Sequence, residues 1–101
     1  MNVVAFVSDL MDHSKVRAAL PTVTFTRDAS AAADADVVVL DLTLFADVVA
    51  DVRAAAPRAR IVAYGPHVDQ ELLRRARDDG ADVVMPRSQF FRDPSAAVTG
   101  K

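Results

Sequence analysis

One apolar run closed by a carboxylate, Asp36-Val37-Val38-Val39-Leu40-Asp41-Leu42, constrains this chain more than any other stretch. Its Val content and short length favour a strand over a segment of buried helix. A strand apolar on both faces belongs in the middle of a parallel sheet, with helices above and below it. In open α/β sheets, ligands and chemistry gather beyond the carboxyl ends of the strands. Asp41 falls at that edge, on the central strand.

Apolar runs and helical patterns alternate through the rest of the sequence, the rhythm of a βαβ sheet. Residues 2–7 read as the first strand, ended by Ser8-Asp9. A helix follows to Leu20, with Leu10, Val16, Ala19 and Leu20 near helical spacing and Pro21 as its stop. Residues 22–26 form a short second strand, and Asp28 caps an Ala-rich helix reaching about Ala33. Beyond Asp41, Thr43 caps a helix in which Phe45, Val48, Val49 and Val52 make one apolar stripe, closed by Pro57. Residues 60–64 are the fourth strand, followed by the turn Gly65-Pro66-His67. Asp69 caps the next helix, with Val68, Leu72, Leu73 and Ala76 on one face and Gly80 as its left-handed C-terminal residue. Residues 81–85 are the fifth strand. The remainder holds Phe90 and Phe91 but little periodic sequence, so the last helix is expected to be short or missing.

Right-handed crossovers leave few topologies for this pattern. The expected fold is α/β, three αβα layers around a five-stranded parallel sheet in the order 2-1-3-4-5. It is expected to form one domain over residues 1–101, with its core in 2–91 and a flexible tail over 92–101.

Composition narrows the function. Apolar residues make up 51% and charged residues 26%, which is ordinary for a globular domain. A net charge of −2 offers no electrostatic footprint for nucleic acid or an anionic membrane. The absence of cysteine removes disulfides, thiolate metal sites and cysteine nucleophiles. The opening Met1-Asn2-Val3-Val4-Ala5-Phe6-Val7 has no basic leader, so it reads as a strand, and a cytoplasmic protein is expected. With three glycines, neither a dinucleotide fingerprint nor a phosphate-binding loop can be written, and no Gly-x-Ser-x-Gly elbow exists. The chain is therefore not expected to be an enzyme.

In the expected strand order, the first, third and fourth strands bring Ser8, Asp9 and Asp12, then Asp41, then Gly65 and His67 to one edge, and Arg87 joins from the fifth. Paired carboxylates in a cleft repel, and a hard divalent cation relieves that repulsion through oxygen ligands. An Asp beside a cation and a basic side chain can also accept a phosphoryl group.

These stretches, spread over nearly the whole chain, resemble the response-regulator receiver (CheY-like) domains of two-component signalling, a flavodoxin-like fold. The run 36–41 is similar to the receiver strand whose last Asp accepts phosphate from a histidine kinase. Gly80-Ala81-Asp82 followed by Val83-Val84-Met85-Pro86-Arg87 resembles the stretch leading to the receiver's essential Lys, and Ser8-Asp9 falls where the family keeps an acidic metal-binding pair. The resemblance implies Asp41 as phosphoacceptor, Asp9 and Asp41 as Mg2+ ligands and Arg87 in the role of the Lys. The departures are as informative. Ser8 replaces an acid, Gly65 stands where a Thr or Ser is usual, and Val84 holds the aromatic switch position. Arg87 is bulkier and planar, and Leu42-Thr43-Leu44 runs straight into a helix where the family has a Gly- and Pro-containing loop.

Three readings follow. The first is a degenerate pseudo-receiver acting as a protein-interaction module, with Arg87 near Asp41 in a structural ion pair. The second is a stand-alone response regulator phosphorylated on Asp41 with Mg2+ bound. The third is a small-molecule sensor using an Asp9/Asp41/His67 cleft. The partner is a histidine kinase or an output protein. A truncated last helix beside Phe90 and Phe91 would leave apolar surface open, which suggests a homodimer through the fourth helix and fifth strand. Beside these functional assignments stand plainer ones: Asp41 as a turn cap, Asp9 as a helix N-terminal acid, and His67 and His13 as solvated helix residues. Arg74, Arg75 and Arg77 are neutralised by Glu71, Asp78 and Asp79, making a solvated face.

Overall fold

The computed structural model describes residues 1–100. Its strands are β1 (Val3–Phe6), β2 (Thr24–Phe25), β3 (Val37–Asp41), β4 (Arg60–Gly65) and β5 (Val83–Pro86). They form one parallel sheet in the order β2-β1-β3-β4-β5, as the sequence predicts. The helices are α1 (Leu10–Ala19), α2 (Leu42–Phe45), α3 (Val49–Ala55), α4 (Gln70–Asp78), α5 (Arg87–Arg92) and α6 (Pro94–Thr99), with 3-10 turns at Ala29–Ala32 and Ala46–Val48.

β3 is buried along its whole length, including Asp41. Each fully buried Val or Leu contributes about 1.5–3 kcal/mol. Four of them in a row help offset the cost of burying the hydrogen-bonded carboxylate at the strand end. Alternation divides the side chains between two layers. On one face Val4, Phe6, Val38, Leu40, Ile61 and Ala63 pack under Phe45, Val49 and Val52 of α2–α3 and Leu73 and Ala76 of α4. On the other, Ala5, Val39, Val62 and Tyr64 pack under Val16 of α1, Phe90 of α5 and Val98 of α6.

The structure departs from the expected elements in local detail. β2 is two residues long, and the Ala-rich segment is a 3-10 turn, capped as expected by Asp28 through the Ser30 amide at 3.0 Å. Asp41, not Thr43, caps the helix after β3. That helix is interrupted by a 3-10 turn, yet Phe45, Val49 and Val52 remain buried with Val48 half-buried. Leu10 and Val68, expected on core faces, are 79% and 78% exposed because each precedes or opens its helix at the rim of the sheet. In the segment expected to be a flexible tail, α6 follows α5 and places Val98 in the core at 1% exposure. The last residue of that tail, Lys101, lies outside the described residues.

Two features brace the end where β4 begins. Arg53 on α3 donates to the carbonyls of Gly80, Ala56, Pro57 and Ala59 and to Asp82 Oδ2 at 2.6 Å. Asp82 Oδ2 also accepts the Ile61 amide at 2.8 Å. Burial pushes the Asp82 carboxyl upward, but the Ile61 amide and Arg53 outweigh it and hold the group below the usual range. Gly80 turns the chain here at φ +116°, where an added Cβ would lie 2.9 Å from Arg53 Cγ. At the outer side of β5, Arg77 reaches the Val84 carbonyl at 3.4 Å, and the strand ends in Pro86.

Candidate functional site

Three strands, β1, β3 and β5, deliver the site. β1 runs through Val7 to Ser8 and Asp9, where the chain turns into α1. Asp9 is the N-cap: its Oδ1 accepts the amides of Met11 at 2.8 Å and Asp12 at 3.0 Å. That fixes the first turn of α1 and swings Asp12 inward, where it is 1% exposed. Asp41 ends β3, 6% exposed, with Oδ1 accepting the Thr43 amide at 3.0 Å. Arg87 opens α5 directly after β5. Ser8, Asp9, Asp12, Asp41, Thr43, Leu44 and Arg87 line one shallow cleft of about 380 Å³.

Arg87 closes on Asp12. Its Nη1 donates to Oδ2 and its Nη2 to Oδ1, a fork-on-fork pair. Asp12 Oδ2 also accepts the hydroxyl of Tyr64 at 3.2 Å. Tyr64 is fully buried on β4, stacked on Phe90 at 4.7 Å between ring centres and edge-on to Phe91 at 5.1 Å. The Arg87 guanidinium lies over the Phe91 ring at 4.7 Å. A buried phenol needs a polar partner, and Asp12 supplies it.

The electrostatics follow from these contacts. The Arg87 hydrogen bonds hold the Asp12 carboxyl below its usual range against the pull of burial. Asp12 in turn raises the Arg87 guanidinium. Burial raises Asp41, opposed by the Thr43 bond and helped by the charge on Asp12. Burial, then the charges of Asp41 and Asp12, push the Tyr64 phenol far above its ordinary value.

The expected ion pair between Arg87 and Asp41 is not the one formed. Arg87 follows the end of β5 and faces α1, so Asp12 receives both of its bonds and Asp41 feels its charge without a hydrogen bond. Ser8, Asp9, Asp12, Asp41 and Arg87 do converge. Gly65 and His67 do not join them. Gly65 is buried with its missing Cβ 3.3 Å from Leu73 Cδ2 and 3.4 Å from Leu42 Cβ, so it admits these side chains rather than facing the cleft. His67 is exposed on the far side of Pro66, its carbonyl accepting Gln70 Nε2 at 2.7 Å. His13 is half-buried rather than solvated, with Nε2 against the Val7 carbonyl and its ring 3.9 Å from Phe25. Leu44 lines the cleft, and Tyr64 reaches Asp12 from the core behind it, without either having been singled out for the site; a tyrosine inside an otherwise apolar strand is the signal that would have found the second.

A divalent cation fits these donors poorly. Both oxygens of Asp12 bind Arg87, and Asp9 and Asp41 each commit Oδ1 to backbone amides. The cleft then offers Asp9 Oδ2 and Asp41 Oδ2, well short of the near-octahedral oxygen shell that Mg2+ demands. The Arg87 guanidinium already answers the charge of Asp12.

No protein-family model matches the chain, and no curated protein matches it in sequence. Solved structures do match it in shape. A response regulator from Burkholderia pseudomallei, with a phosphorylated aspartic acid, calcium ion and citrate, superposes with a TM-score of 0.81 at 17% identity over 96% of this chain. This chain spans 65% of that protein's length. A response regulator receiver domain protein from Clostridium thermocellum gives 0.80 at 14% identity, covering 98% of this chain and 91% of its own. An orphan response regulator of H. pylori gives 0.75 at 14% identity, covering 99% and 92%. The chain has the flavodoxin-like fold of the CheY-like receiver domains.

Proposed function

We propose that this chain is a receiver-fold signalling domain that serves as a protein-interaction module, a pseudo-receiver whose metal-dependent switch is replaced by a permanent ion pair. The observation that carries this reading is the two-point bond from Arg87 to the buried Asp12, completed by the Tyr64 hydroxyl. A receiver that switches needs its basic residue free to move; here both terminal nitrogens of Arg87 are held by Asp12. In this reading the domain catalyses nothing, works in the cytoplasm, and passes its signal through a histidine kinase, an output protein or a second copy. A homodimer would use α4 and β5, but without the open apolar surface expected beside Phe90 and Phe91, because α5 and α6 bury Phe90 and leave Phe91 half-buried.

The second reading is phosphorylation of Asp41 by a histidine kinase, with Asp9 and Asp41 holding Mg2+. It is favoured by the placement of Asp41 at the end of the central strand, lining the cleft. Metal would then have to draw Asp12 from Arg87 or bind beside them. A sensor built on Asp9, Asp41 and His67 is not supported, since His67 stands outside the cleft.

The test is an NMR titration of the 15N-labelled domain with Mg2+ and then beryllofluoride. A flat response is expected. Saturable shifts centred on Asp9, Asp41 and Arg87, absent in Asp41→Asn, would establish the phosphoacceptor instead.

A further inference from the structure

Among the described residues, the large apolar side chains left exposed are Met1, Leu10, Met11, Leu44 and Val68. All but Met1 lie just past β1, β3 or β4, at the edge that carries the carboxylates. Isolated exposed apolar residues need no explanation, but a group around one cleft marks a contact surface. Leu10 and Met11 flank Asp9 and Asp12 on the first turn of α1, and Leu44 lines the cleft itself.

The centre of this ring is acidic. Three carboxylates face one guanidinium there, and Arg87 is matched to Asp12, leaving the charges of Asp9 and Asp41 unanswered. Asp9 Oδ2 and Asp41 Oδ2 carry no hydrogen bond from any described residue. Asp41 is more than nine-tenths buried and still presents that oxygen to the cleft. A carboxylate oxygen that faces the cleft without a protein donor is a strong acceptor for a cationic one.

We propose that this cleft docks a protein segment carrying a Lys or Arg flanked by apolar side chains. The cation enters between Asp9 and Asp41, and the apolar neighbours cover Leu10, Met11 and Leu44. Electrostatic complementarity sets which segment enters, and the apolar ring supplies the dry surround that a charged contact needs to be worth more than an exposed ion pair. This surface rests on the interaction-module reading and names the partner's chemistry.

The experiment titrates the 15N-labelled domain with a short amidated amphipathic Leu/Lys peptide, its Ser/Lys counterpart and its Leu/Glu counterpart. Only the Leu/Lys peptide should saturate, with shifts confined to residues 8–12, 41–44 and 87. Leu44→Ser and Asp41→Asn should each weaken it about tenfold; Leu44 is exposed and Asn still caps a helix, so both variants fold. Equal binding of the Ser/Lys peptide, shifts centred on Glu71 and Asp78 of α4, or no saturation at all would overturn this surface. The first two would leave an interaction module that binds by other means. A beryllofluoride response, by contrast, would remove the pseudo-receiver reading and leave the peptide result standing on its own.

Discussion

Arg87 and Asp12 lie 75 residues apart in sequence, and both terminal nitrogens of the arginine meet both oxygens of the aspartate across the carboxyl edge of the sheet. Asp12 is 1% exposed while the Arg87 side chain is 45% exposed. Their losses are therefore unequal. Arg87→Met strands a buried carboxylate and should cost about 2–3 kcal/mol, below the figure for a fully buried pair because half of the arginine stays in water. Adding Asp12→Asn should recover more than half of that. Urea unfolding at neutral pH measures both, and a cost under about 0.5 kcal/mol for the single variant would reduce the pair to an ordinary surface contact.

Two buried carboxylates pull stability in opposite directions as pH changes. Asp12 is held below 3.8 by Arg87, so its contribution is complete above 3.8 and is lost as pH falls through its lowered native value. Asp41 is held above 3.8 by burial, so its charge is a cost that is complete above its raised native value and is relieved as pH falls through that value toward 3.8. Asp41→Asn should abolish the gain on mild acidification and keep the acid loss. Asp12→Asn should keep the gain and make the acid loss shallower, with Asp28 and Asp82, also held low, sustaining the rest. Urea midpoints across a pH series resolve the two limbs.

Tyr64 is the chain's one tyrosine, and there is no tryptophan, so phenolate absorbance reports on it alone. With its phenol raised far above 10 by burial and by Asp41 and Asp12, it should not ionise in the folded protein. Alkaline titration should show no phenolate until the circular dichroism collapses, and the two transitions should coincide. A phenolate signal appearing near 10 with the fold intact would place the ring in solvent.

Gly80 and Gly65 separate two reasons for a glycine. Gly80→Ala forces a side chain to φ +116° and into Arg53 Cγ at 2.9 Å, and should cost about 1–3 kcal/mol. Removing the arginine as well, in Gly80→Ala/Arg53→Ala, should relieve the clash but not the backbone strain, so the two losses should add to less than their sum. Gly65 has no such backbone constraint. Placing a threonine there should cost about 1–3 kcal/mol through crowding against Leu42 and Leu73. Thermal melts of Gly80→Ala, Arg53→Ala, their double variant and Gly65→Thr order these effects.

The sheet was legible because its strands are short, continuous and apolar, and because each break carries a Pro, Gly or Asp that leaves no other place to turn. The convergence of Ser8, Asp9, Asp12, Asp41 and Arg87 followed from strand order alone. What did not follow was which acid the arginine would take. That depends on the direction in which α5 leaves β5 and on one turn of α1, a difference of a few ångströms that periodicity does not encode. Tyr64 was hidden for a related reason: its ring serves the core as any aromatic would, and only the hydroxyl at its tip belongs to the site. Leu10 and Val68 misled because helical spacing marks a face without saying whether anything covers its first turn.

The outer margins of the sheet carry a consequence of their own. β2 is two residues long, and β5 has its Val84 carbonyl taken by Arg77 and an imino acid at its end, which brings no amide hydrogen. Backbone groups available for a visiting strand are few on both sides. In the proposed interaction role, contact with a partner or a second copy would run through side chains, and a mutation that changes one of them would change the vocabulary of the contact without touching the scaffold that displays it.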